Sequence, residues 1–220
     1  MLFLQNITFD FICTTVYQYI SKNNIEVLAA IFSLVCVWLN MRVSIWGWVF
    51  SIIAAGLYLK IFIDAKLVGS ALMQIMFIIL SFYGLYCWFF DNQLDSKKEK
   101  EIIIKHFPKE KTIQTFIIFV FLLITTIFVL KYFDGTLVYL DALLLVLSAL
   151  AQFMLAKKYI ENWLFWIFIN VIAVIQYINA DLHVTAVLYF LLLLMAIKGY
   201  FDWRKILRFS SKWDSITFKQ

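Results

Sequence analysis

Residues 151–170 read AQFMLAKKYIENWLFWIFIN. An apolar run closes at Ala156, two lysines and a short polar turn follow, and a second apolar run opens at Trp163. A hydrocarbon layer about 30 Å thick is crossed by roughly 20 residues of helix, at about 1.5 Å of rise each, and both runs approach that length. Outward from this stretch, similar runs lie at 26–40, 45–63, 69–90, 113–133, 137–156, 162–180 and 183–201. They predict an all-α integral membrane protein of seven transmembrane helices. Composition agrees: with 64% hydrophobic, 19% aromatic and 15% charged residues in 220, too few polar side chains remain to cover a soluble surface.

The connecting segments set the direction of the chain. Lysine and arginine accumulate in the short cytoplasmic loops of membrane proteins. Of the nineteen basic residues, fifteen fall on one side of the seven spans, in Arg42, the charged loop 91–112, Lys157, Lys158, Lys198 and the basic tail 204–220. Four, Lys22, Lys60, Lys66 and Lys131, fall on the other. The C-terminus is therefore expected in the cytoplasm and the N-terminus outside, in a multi-pass plasma (inner) membrane protein. Segment 1–25 has no basic n-region and no small-residue cleavage site, so it reads as an interfacial helix or the start of a longer first span. Cys13, Cys36 and Cys87 lack CxxC spacing, which argues against metal or disulfide roles. The net charge of +5 is spread over loops and suits anionic lipid better than nucleic acid.

Shifted by 115 residues, 26–88 aligns with 141–203 without a gap. The matches least expected by chance pair Trp48 with Trp163, Trp88 with Trp203 and Gly84 with Gly199, and Ser33 with Ser148 joins them. The chain then divides into a first three-helix repeat at 26–90, a linker helix at 113–133 and a second three-helix repeat at 137–203. The single linker restores the direction of the second repeat. The expected arrangement is 3+1+3 with parallel repeats, the SWEET-like plan, and solute between the repeats near mid-membrane.

Trp163, Trp166 and Asn170 stand at i, i+3 and i+7 on one face of the sixth span. Two indoles and an amide suit a flat, polar-edged ring, with cation–π attraction where that ring is charged. Trp163, close to the helix end, reads equally as an interfacial belt residue. Gln74 and Gln152 are the other amides inside apolar runs and either face solute or bond a neighbouring helix. Tyr83, Trp46 and Trp48 line the path or pack and anchor; Gly84 and Gly199 read as close helix contacts. No carboxylate lies at the centre of a span, since Glu26 and Asp141 sit at entrances, and no phosphate-binding P-loop is present. Passive movement through an uncharged, indole-lined cavity is the simplest mechanism, and the solute is expected neutral or cationic. His106 and His183 form no hydrolase constellation, so no enzyme activity and no cofactor are expected. A membrane-embedded assembly subunit without transport is the alternative class.

The runs AQFMLAKKYIENWLFW, LMQIMFIILSFYGLYCW and FLLLLMAIKGYFDW resemble the Pnu vitamin transporters, in particular the PnuC branch that takes up nicotinamide riboside. The likeness spans about 26–203, and W-x-x-W-x-x-x-N, here Trp163, Trp166 and Asn170, resembles that family's substrate motif. The resemblance implies a homotrimer and facilitated diffusion, with a cytoplasmic nucleoside kinase trapping the imported solute for NAD biosynthesis. It also leaves thiamine open, because one branch of the family carries it. The only proline, Pro108, lies in a loop, so the proline-hinged spans of sugar-carrying SWEETs are missing.

Overall fold

The computed structural model describes residues 24–65, 68–94, 104–132, 138–179 and 183–217. Seven long helices follow one another: α1 (Asn24–Met41), α2 (Trp46–Asp64), α3 (Val68–Leu94), α4 (Thr112–Tyr132), α5 (Val138–Ala156), α6 (Asn162–Asn179) and α7 (His183–Thr217). All seven are long and apolar enough to cross a membrane. The apolar runs thus mark the helices to within a few residues at every end but one: α7 continues through the basic residues of the tail to Thr217, because hydropathy marks where a helix leaves lipid and not where its backbone bonds end. Segment 1–23 and part of the charged loop, 95–103, lie outside the described residues.

Helix contacts close a ring. α1 packs on α2, α2 on α3, α3 on α5, α5 on α6, α6 on α7, and α7 returns to α1. α4 stands outside this ring and packs chiefly on α5, leaving Phe116, Phe121 and Phe128 exposed on an apolar face that suits lipid.

The second half of the ring repeats the first in detail. Val43 and Lys158, 115 residues apart, are the two non-glycine residues with positive φ among those described, at 53° and 57°. Both end a helix in the same turn: Val43 N–H donates to the Asn40 carbonyl and Ser44 N–H to that of Leu39, while Lys158 donates to Leu155 and Tyr159 to Met154. Trp48 meets Trp88 edge-on with ring centroids 5.4 Å apart, and Trp163 meets Trp203 likewise at 5.5 Å. Such pairs contribute about 0.5–1.5 kcal/mol beyond the area they bury. The matched glycines explain the fit: a Cβ on Gly84 would stand 2.4 Å from the Trp48 ring, and one on Gly199 would stand 2.8 Å from that of Trp163.

The two halves are then tied together. Trp88 Nε1 donates to the carbonyl of Ala156 at 3.1 Å, and Trp203 Nε1 donates to that of Met41 at 3.2 Å and of Asn40 at 3.2 Å. Met41 and Ala156 are themselves matched at the same offset, so each half gives an indole N–H to the end of the other's first helix. These four indoles are at most 2% exposed, so they hold the ring together and do not belong to an interfacial belt.

The same end gathers the basic loops. Lys105 N–H donates to the Lys158 carbonyl and Ile160 N–H to that of Lys105. Phe107 stacks edge-on against Tyr159, and Glu161 accepts from the Phe107 amide and pairs with His106 at 2.8 Å. Arg42, the segment 104–111 and the Lys157–Lys158 turn therefore share one end of the bundle, as the charge count required.

Candidate solute cavity

Inside the ring lies a cavity of about 620 Å³, within the range of small-molecule sites. Asn40, Leu155 and Trp163 line it at the end nearest the indole tie. Five of the seven residues expected to bind solute reach its wall: Gln74 from α3, Gln152 from α5, and Trp163, Trp166 and Asn170 from α6.

Their roles differ. Asn170 is 5% exposed and Gln74 is 7% exposed, and both side chains line the cavity. The polar atoms sealed without a partner among the described residues belong to Asn40, Trp48, Asn162 and Trp163, so the Asn170 and Gln74 amides open onto the cavity, placed for a polar solute or water. Gln152 is partly engaged, its Nε2 reaching Ser81 Oγ at 3.4 Å, which in turn bonds Ser51 Oγ at 2.8 Å. Trp166 is half-buried and faces Phe77, with centroids 6.3 Å apart and planes 28° from parallel. Trp163 only edges the cavity, because its faces are taken by Gly199 and Trp203. At 2% exposed, Trp163 does not belong to an interfacial belt.

Two expected residues are not brought to the cavity. Trp46 is 61% exposed at the start of α2, on the outer surface of the ring. Tyr83 stacks on Phe153 at 5.9 Å with Lys157 Nζ 5.1 Å above its ring, which fixes it at the basic end. A face read from helical spacing names a direction but not the neighbour in that direction.

The sequence missed several wall residues. Ser33 and Ser148, already matched in the repeat, both line the cavity, as do Tyr58, Tyr177 and Tyr189. So does Asp141, which corrects the expectation of an uncharged cavity. It stands exposed in the first turn of α5, at the end of the cavity away from the indole tie. No lysine, arginine or histidine is among the described residues of the wall. The described residues also hold no group of three or more metal-ligating side chains.

The sequence profile of the family described as nicotinamide mononucleotide transporter matches residues 23–205. The nicotinamide riboside transporter PnuC of Escherichia coli is 27% identical over 204 residues, covering 81% of this chain and 84% of that protein. The protein of the same name from Neisseria mucosa is 24% identical, covering 82% and 72%. A crystal structure of the vitamin B3 transporter PnuC superposes with a TM-score of 0.71 at 20% identity, covering 92% of this chain and 89% of that one, so the two share a fold.

Proposed function

The chain belongs to the nicotinamide mononucleotide transporter family, and from that premise we propose that it carries nicotinamide riboside across the plasma membrane by facilitated diffusion. One observation carries the choice of riboside over mononucleotide. The wall offers amides, hydroxyls and rings but no basic side chain among its described residues, and a dehydrated phosphate without a cationic partner is prohibitively costly. The riboside instead presents a flat pyridinium, a carboxamide and sugar hydroxyls. Trp166 stacks on the ring, a contact of about 0.5–2 kcal/mol when desolvated. Asn170, Gln74 and Gln152 bond the carboxamide and the ribose.

Phosphorylation by a cytoplasmic nucleoside kinase adds the charge that the wall cannot pair, so the product does not return. Net flow needs no ion gradient, consistent with the lack of a carboxylate at the middle of any span. In this reading the indole-tied, basic end faces the cytoplasm and the Asp141 end faces outward. The two three-helix units act as parallel, SWEET-like repeats, and the exposed face of α4 serves lipid or the contacts of a homotrimer.

Uptake into liposomes containing only this protein tests the proposal. Labelled nicotinamide riboside should enter saturably while nicotinamide mononucleotide does not. Entry of thiamine alone corrects the solute within the same family. Faster entry of the mononucleotide, or no entry of any of the three, refutes the reading.

A further inference from the structure

Asp141 is the single carboxylate among the described residues of the cavity wall, and no lysine, arginine or histidine is among those residues. It makes no ion pair among the described residues. Its match in the first half of the chain, Glu26, opens α1 at the equivalent place but does not line the cavity. The duplication therefore left one carboxylate at the mouth, on the side opposite the indole tie.

Aromatic rings surround the same end. Tyr177 and Tyr189 stack with centroids 5.0 Å apart, and Tyr58 shares the wall with them. Asp141, Tyr177 and Tyr189 line the same wall, each within a few residues of the end of its helix on that side. A carboxylate among tyrosine faces is the chemistry that holds a flat organic cation: the charge attracts over a distance of about 8 Å at physiological ionic strength, and the ring faces add short-range cation–π contact.

We propose that Asp141, with Tyr177 and Tyr189, forms a vestibule site that selects cationic solutes over neutral ones of the same shape before they reach Trp166. The inference rests on the riboside reading for its choice of cation, and extends it by naming the group that reads the charge. Attraction by a half-screened carboxylate raises the local concentration of a monovalent cation by about tenfold, which appears in KM more than in kcat.

The test compares uptake of nicotinamide riboside with that of its 1,4-dihydro form, which has the same outline and no ring charge. In liposomes, the ratio of kcat/KM for the cation to that for the neutral form should fall about tenfold in Asp141→Asn, and Asp141→Glu should restore most of it. A structural role lowers both solutes together and leaves the ratio unchanged, which overturns the inference. Should the Asn variant fail to fold, the wild-type protein decides: its ratio should fall as salt rises from about 20 to about 200 mM, and a ratio independent of salt overturns the inference. Wild-type protein that carries neither form refutes the solute reading and the vestibule together. Uptake of the cation with an unchanged ratio in Asp141→Asn refutes the vestibule alone.

Discussion

The first three helices, 24–94, and the last three, 138–217, share a scaffold and differ in the cavity they face. Trp48, Gly84, Trp88, the Val43 turn and the Met41 carbonyl recur as Trp163, Gly199, Trp203, the Lys158 turn and the Ala156 carbonyl. Along the cavity the offset of 115 residues pairs unlike groups: Val37 with Gln152, Ser51 with Trp166, Ala55 with Asn170, and Gln74 with Tyr189. Close packing of an indole on a residue without a Cβ leaves few substitutes on either side, and the two halves share it. A solute such as the riboside has no twofold axis, and a wall made of two identical halves would offer each of its edges the same group. The ring and amide chemistry accordingly concentrates in α6.

That contrast predicts two classes of variant. The largest effect should come from the wall of the second half: Trp166→Ala with Asn170→Ala should weaken riboside binding by about a hundredfold or more, since a stacking face and a buried amide contact vanish together. Calorimetric titration of purified protein measures this, while thermal unfolding should shift by only a few degrees. Wild-type affinity in the double variant would place the site elsewhere.

Scaffold variants should act alike in both halves. Gly84→Ala and Gly199→Ala each force a Cβ into an indole, and each should destabilise by about 1–3 kcal/mol, read as a drop in the detergent melting temperature. A large drop for one and none for the other would break the equivalence. Smaller again, Trp88→Phe removes one cross-half hydrogen bond and Trp203→Phe one N–H shared between two carbonyls; each donor is worth about 1 kcal/mol, and the two variants should lower stability by similar amounts.

The smallest expected effect marks a place where the halves differ at the basic end. Glu161 binds His106 and the Phe107 amide, whereas its match, Trp46, lies exposed. The His106 side chain is 69% exposed, so the ion pair is screened and weak. Glu161→Ala should cost at most about 1 kcal/mol, and its measurable consequence should be faster hydrogen exchange at Ile104–Phe107 with little change in uptake.

Much of this was legible beforehand for a physical reason. A bilayer imposes span length, and the indole and glycine pairs were visible because close packing of a large ring on a residue without a Cβ leaves few substitutes. Asn170, Gln74 and Gln152 could be named because an amide in an apolar run always needs an explanation, and Trp166 because it shares a helical face with Asn170. Trp163 and Trp46 could not be sorted, since helical spacing does not say whether a face meets a glycine, a cavity or lipid. The bond from Trp203 to Met41 joins residues 162 apart and leaves no local signal. Asp141 was placed at a span entrance, but whether an entrance residue lines a cavity depends on neighbouring helices that the local sequence does not name.

The claim beneath all of this is that the solute lies between the two halves against α6. A cryo-EM map of the protein with nicotinamide riboside bound tests it most directly. The pyridinium should rest on Trp166 with its carboxamide within hydrogen-bonding distance of Asn170 or a glutamine of the wall. Density for the solute outside the six-helix ring, or an empty cavity at saturating riboside, would contradict it.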